Sequence, residues 1–126
     1  WIDGTDYTLL MHPILSEQEG TNRYDLTDQN RAKIIQNIMK SAEAGGGYNE
    51  FYFTKADGKT VAPKIAYSEE FEPWGWVITT GNYVDNLEKN IEKNRVTLQN
   101  RQKSMMMQNK YLYQCSHYGN IPDRLL

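Results

Sequence analysis

Apolar positions along the chain change period several times, and each change marks an element. Tyr7 to His12 is dense in aromatic and aliphatic residues and stops at Pro13, which has no N–H to give a ladder, so a strand with a hard stop is expected there. From Ile14 to Thr27 the chain is mostly polar and broken by Gly20, with Asn22, Asp25 and Asp28 supplying turn chemistry; this predicts a long surface excursion. Between Asn30 and Ala44, Ile34, Ile38 and Ala42 recur every fourth residue while Ile35 and Met39 widen the stripe. That spacing predicts an amphipathic helix, capped by Thr27 or Asp28 and ended by Gly45, Gly46 and Gly47.

The period then drops to two. Tyr48 to Thr54 and Val61 to Tyr67 flank an Asp57-Gly58 turn, which predicts an antiparallel hairpin with Val61, Pro63, Ile65 and Tyr67 on one face. Trp74 to Tyr83 gives a further strand, with Trp76, Ile78 and Thr80 on one side and Val77 and Thr79 on the other, a pattern expected of a strand covered on both faces. After Val84, Leu87, Ile91 and Leu98 fall among charged and amide residues near a seven-residue period, interrupted by Asn94 and Arg101; a long, weakly amphipathic helix follows. Helices before and after an antiparallel meander define an α+β domain.

Composition narrows the partners. At 126 residues the chain holds one domain with one core. Sixteen acidic against fourteen basic residues leave a formal charge of -2, which supplies no broad basic surface for a nucleic-acid backbone. One cysteine, Cys115, cannot close an internal disulfide, and two histidines with one thiol make a poor zinc set, so neither a metal nor a cofactor is expected. No apolar run of about eighteen residues spans a bilayer and no leader precedes the first strand. The opening Trp1-Ile2 reads as the inside of a strand, so the chain is expected to be a fragment. Glu50, Glu69, Glu70 and Glu72 offer carboxylates and His12 a base, but none sits in a catalytic motif, no nucleophile elbow surrounds Ser16, Ser41 or Ser68, and the glycine run follows a helix where a phosphate loop would precede one. The expectation is a protein that is not an enzyme.

Five stretches in order, WIDGTDYTLLMHP (Trp1 to Pro13), EGTNRYDLTDQN (Glu19 to Asn30), GYNEFYF (Gly47 to Phe53), APKIAY (Ala62 to Tyr67) and EPWGWVITTGNYVDNL (Glu72 to Leu87), resemble the single Cache family of sensor domains. The resemblance implies a PAS-like antiparallel sheet with flanking helices, here without the family's long N-terminal helix. It implies an extracytoplasmic sensor of a chemoreceptor or sensor kinase that binds a small organic molecule, such as a short carboxylate. It further implies a homodimer in the intact receptor and membrane contact only through flanking helices absent from this chain. The sensor domain is read as residues 1–87, an output helix as 88–107 and an atypical tail, frameshifted or disordered, as 108–126. The competing reading is a structural module of a receptor that dimerises through the Leu87-Ile91-Leu98 seam and has no ligand of its own. The family has glycine where Tyr7 stands, and tyrosine and tryptophan where Phe51 and Phe53 stand, so ligand identity does not transfer.

Five residues are candidate ligand contacts. Lys64, between Ala62 and Ala66, has room to offer three donors to a carboxylate, or else lies solvated on an exposed face. His12 matches the family's histidine-proline pair and either donates to a ligand oxygen or bonds a nearby backbone group. Tyr52 and Tyr67 each combine a ring with an orienting hydroxyl, or belong to the core. Tyr67 and Lys64 lie three apart, which puts them on opposite faces of a regular strand unless a bulge intervenes. Trp1 matches a family aromatic near the pocket, whereas Trp74 and Trp76 read as packing and Asp85 as a helix cap. The ligand would act by favouring one of two arrangements of the helix from Val84 onward. For the tail, codons compatible with Tyr111 to Leu126, read one nucleotide later, permit an apolar series; sequencing the gene across Met107 tests whether a frameshift replaced a membrane helix.

Overall fold

The computed structural model describes residues 1–118. In chain order it contains β1 (Ile2–Gly4), β2 (Leu9–Met11), α1 (Ile34–Glu43), β3 (Gly47–Thr54), β4 (Val61–Phe71), β5 (Trp76–Tyr83) and α2 (Val84–Tyr118), with single 3-10 turns at Ser16–Gln18 and Glu72–Trp74. The strands form one sheet in the order β2-β1-β5-β4-β3, every pair antiparallel. This is the α+β arrangement that the alternation of periods predicts. Contacts divide the chain after Leu87, so the sheet with α1 and the helix from Glu88 onward are separate units.

Amphipathicity decides where the core sits. Ile34, Ile35, Ile38, Met39 and Ala42 of α1 are buried together with Phe51, Ala66 and Val77 from the inner face of the sheet. Each fully buried aliphatic side chain contributes roughly 1.5–3 kcal/mol of transfer free energy, so this stripe holds the helix on the strands. On β4 the inward positions are Ala62, Lys64, Ala66 and Ser68, and across from them on β5 are Tyr83, Gly81 and Thr79. The one polar pair buried in this row is satisfied internally, with Ser68 Oγ and Thr79 Oγ1 at 3.0 Å.

Local readings of the sequence need three corrections. Tyr7 is not in a strand: its φ is +69°, in the left-handed region that favours glycine, and only Leu9–Met11 pairs as β2. Helix α1 starts at Ile34, because Arg31 adopts φ +63° and holds the preceding loop out of helix. Asp28 is therefore not its cap; its carboxylate accepts the N–H groups of Asn30, Ala32 and Tyr52 at 2.8–3.0 Å and ties the loop to β3. Finally, β5 is not covered on both sides, since Ile78 on its outer face is 47% exposed while Val77 is fully buried.

Helix α2 takes in the tail as far as Tyr118, and the rest of that tail, with Pro122 and Arg124, lies outside the described residues. Among the described residues no helix is long and apolar enough to cross a membrane.

Candidate functional site

Two hollows with shared lining lie between the inner face of the sheet, α1 and the excursion after β2. The larger is an open cleft of about 680 Å³, and its wall includes His12, Ile14, Leu26, Tyr52, Lys64 and Tyr83. The smaller is a recess of about 10 Å³, room for about one water, lined by Trp1, His12 and Arg23 with Ile34, Ile35, Phe51 and Phe53. His12, Ile34 and Phe53 belong to both.

Lys64 reaches the cleft because alternation puts it on the inner face of β4 between two alanines. Its stem passes over Gly81 of the neighbouring strand, where a side-chain carbon would come within 3.0 Å of Lys64 Cε. The ammonium ends up among aromatic rings: Nζ stands 4.7 Å from the centroid of Trp1, 5.2 Å from Tyr83 and 5.5 Å from Phe53. These ring faces are electron-rich and favour a cation, but burial works against it and lowers the Lys64 pKa from its ordinary value. Among the described residues no carboxylate forms an ion pair with Lys64.

His12 is held in one tautomer. Its Nδ1 accepts the backbone N–H groups of Ile14 at 3.1 Å and Leu15 at 2.9 Å, which places the proton of the neutral ring on Nε2. The ring stacks on Trp1 with centroids 5.7 Å apart. Burial, and then the positive charges of the chain's amino group, Arg23 and Lys64, lower its pKa from 6.5 to about 4, so it is neutral at neutral pH. Among the described residues every side-chain nitrogen or oxygen shut off from solvent has a hydrogen-bond partner. Lys64 Nζ and His12 Nε2 have no such bond, so both meet solvent, and the cleft wall carries both residues.

Behind this pair lies a buried ion pair. Arg23 Nη2 meets both oxygens of Asp3 at 2.5 and 2.7 Å and Nε donates to Oδ1 at 3.0 Å, while Trp1 Nε1 donates to Oδ2 at 2.9 Å. Burial pushes the Asp3 carboxyl upward and the hydrogen bonds from Arg23 pull it back down. The arrangement fixes the Trp1 indole, which in turn flanks both His12 and Lys64.

The structure brings together four of the five predicted residues. His12, Lys64 and Tyr52 share the cleft, and Trp1 joins His12 in the recess. Tyr67 is not among the residues lining either hollow: β4 pairs in regular register on both sides, so no bulge intervenes and Tyr67 faces away from Lys64. There its hydroxyl donates to Glu69 Oε2 at 3.2 Å and its ring meets Tyr48 edge to face. Asp85, expected to cap the final helix, has its Oδ2 2.5 Å from Lys55 Nζ at the start of α2.

Arg23, Phe53 and Tyr83 were missed. Arg23 had a legible signal, because an acid such as Asp3 inside an apolar strand needs a cationic partner. Tyr83 had none, since its place beside Lys64 comes from the β4–β5 register and its hydroxyl is turned by the Thr54 carbonyl oxygen, 2.7 Å away.

With this geometry the chain matches a family model described as Single Cache domain 2 over residues 1–97. It is 33% identical over 78 residues, 62% of the chain and 17% of the relative, to the sensor histidine kinase MctS of Rhizobium johnstonii. It is 24% identical over 89 residues, 70% of the chain and 16% of the relative, to the methyl-accepting chemotaxis protein McpP of Pseudomonas putida. The chain thus spans about a sixth of the length of these curated relatives. Among solved structures, a periplasmic sensor domain of a chemotaxis protein superposes with a TM-score of 0.64 at 27% identity, covering 67% of the chain and 59% of that structure. A Cache chemosensory domain described for carboxylic acid recognition gives a TM-score of 0.64 at 25% identity, over 67% of the chain and 58% of that structure.

Proposed function

The chain belongs to the single Cache domain 2 family of extracytoplasmic sensor modules, and from that membership we propose that it is the ligand-binding part of a transmembrane receptor taking a small organic carboxylate beside Lys64 and His12. One observation carries the reading: a half-buried ammonium without an anionic partner among the described residues faces a cleft next to a histidine whose free N–H is fixed as a donor. A carboxylate placed there accepts from Nζ with one oxygen and from Nε2 with the other, and it supplies the negative charge that burial leaves Lys64 lacking. The rings of Trp1, Phe53 and Tyr83 keep the ammonium in place, and the Asp3–Arg23 pair keeps Trp1 in place. The carboxylic acid recognised by a Cache relative of similar fold supports the ligand class.

Signal output then requires that the ligand favour one of two arrangements of the domain, with α2 as the element that carries the difference onward. Cache domains are signalling rather than catalytic modules, and the polar groups of this cleft suit recognition. A thermal-shift screen of small carboxylates, amino acids and amines against the wild type and Lys64→Ala tests the proposal. At least one carboxylate should raise the wild-type melting temperature and lose that effect in the variant. A carboxylate that stabilises both equally would remove Lys64 from the site, and a screen in which amines alone stabilise the protein would overturn the ligand class.

A further inference from the structure

The last strand ends where the long helix begins, and side chains tie that junction to the cleft. Tyr83 closes β5 and pairs with Lys64 across the sheet, and the next residue, Val84, opens α2. The Tyr83 hydroxyl donates to the carbonyl oxygen of Thr54, the last residue of β3, at 2.7 Å. Lys55 follows directly. Its Nζ stands 5.1 Å from the centroid of the Tyr83 ring and 2.5 Å from Oδ2 of Asp85, in the first turn of α2. Lys64 Nζ lies 5.2 Å from the same centroid. One ring therefore meets two ammonium groups, one offered to the acid and one paired with the start of the helix. The backbone beneath Lys55 is fixed, since its N–H donates to the Thr60 carbonyl oxygen at 2.8 Å and Asp57 accepts the N–H groups of Lys59 and Thr60 at 2.9 and 2.8 Å. Freedom at this junction is thus left to the Lys55 side chain, and the Asp85 carboxylate selects the one of its many rotamers that lies on Tyr83.

Resting on the carboxylate reading above, we propose that Asp85 and Lys55 are positioning residues for the acid seat, which hold Tyr83 against Lys64 and so couple occupation of the cleft to the first turn of α2. The order of contact is Asp85 on Lys55, Lys55 on the Tyr83 ring and the ring on Lys64 Nζ. With the first contact in place the Lys64 ammonium is preorganised for an anion; without it the Lys55 stem is free, the ring loses one of its two fixed neighbours, and ordering Lys64 becomes a cost of binding. The two ammonium groups are also no more than about 10 Å apart, within roughly one Debye length, so they repel through the ring they share. An acid on Lys64 cancels that repulsion and lets Lys55 settle more firmly on Tyr83 and Asp85. Coupling of this kind is reciprocal: the pair that improves the seat is itself tightened when the seat is filled.

Asp85→Asn gives the decisive test, because the two explanations of its effect have opposite signs. Removing a negative charge beside the cleft should by charge alone favour an anion and lower its Kd, whereas loss of the positioning contact raises it. Calorimetric titration of the whole chain with acetate and butanoate is expected to show Kd raised by up to about fivefold in Asp85→Asn, the span of a partly exposed ion pair, and restored in Asp85→Glu. The Lys55→Met/Asp85→Asn double variant should bind no more weakly than Lys55→Met, since one chain of contacts is broken only once. In the other direction, acetate should slow amide exchange of Asn86, whose N–H donates to Asp85 Oδ1 at 2.9 Å, in the wild type and not in Lys55→Met. Unchanged or tighter binding in Asp85→Asn, additive losses in the double variant, or Asn86 exchange indifferent to acetate would each overturn the coupling. The carboxylate reading survives those results provided that Lys64→Ala abolishes binding, and both fall if neither acid binds the wild type.

Discussion

His12 provides the sharpest test of the geometry, because its two ring nitrogens have different jobs. Nδ1 is an acceptor for two backbone N–H groups, those of Ile14 and Leu15. Protonation turns that nitrogen into a donor facing two donors and places a charge in a mostly desolvated site near Arg23 and Lys64. Burial first, and then the positive charges around the ring, lower the pKa from 6.5 to about 4. With the folded value below the unfolded one, the unfolded chain binds more protons between about pH 4 and pH 6.5, so stability is intact above that window and is lost as pH falls through it. At about 1.4 kcal/mol for each pH unit between the two values the loss approaches ~3 kcal/mol. Water in the cleft screens part of this, which leaves about 1–2 kcal/mol. Asn is the informative substitution, since its Oδ1 accepts the same two N–H groups in an Asx-type turn but does not titrate. Urea unfolding followed by tryptophan fluorescence from pH 7.5 to pH 4 should show the stability of the wild type relative to His12→Asn declining by about 1–2 kcal/mol, with Asp3 and the other acids cancelling in the difference. A flat difference curve, or an imidazole resonance of His12 titrating above pH 6, would refute the buried-acceptor assignment.

Other consequences follow from single contacts. Arg23→Met leaves Asp3 buried without its cation and should cost about 3–5 kcal/mol, much of it restored in the Arg23→Met/Asp3→Leu double variant, as read from denaturant unfolding. Arg31→Gly should stabilise the fold by about 1 kcal/mol, because an exposed residue at φ +63° loses its left-handed strain, whereas Tyr7→Gly should destabilise it despite a similar φ, because the Tyr7 ring packs on Tyr24 and the core. Gly81→Ala puts a carbon 2.9 Å from the Ile65 carbonyl oxygen and 3.0 Å from Lys64 Cε; the expected cost is about 1–3 kcal/mol in unfolding free energy together with weaker carboxylate binding by calorimetry.

How much of this was readable beforehand depends on the range of the interaction. Helix α1 was legible because five apolar side chains at helical spacing have only one common face, and the glycines that stop it act locally. The hairpin of β3 and β4 was legible for the same reason, since alternation and a short connection through Asp57 and Gly58, closed by the Lys55 N–H on the Thr60 carbonyl oxygen, keep paired residues near one another in sequence. The reading failed for two different reasons: Asp28 serves the distant Tyr52 N–H instead of capping a helix, and Tyr7 is held out of strand geometry by a local turn, its N–H bonded to the Gly4 carbonyl oxygen at 2.9 Å.

The sequence by itself determined the order of elements and the family, because periodicity and motif order are properties of the chain read along its length; which face of β4 turns inward was decided by the packing of the sheet on α1. Tertiary structure decided which residues meet. Lys64 and Tyr83 are neighbours only through the pairing of β4 with β5, and Asp3 and Arg23 only because the excursion folds back onto β1. It also removed Tyr67 from the cleft, since a regular ladder leaves residues three apart on opposite faces. Cation–π and ion-pair contacts fall off within a few ångströms, so their partners are set by folding geometry that spacing along the chain does not encode.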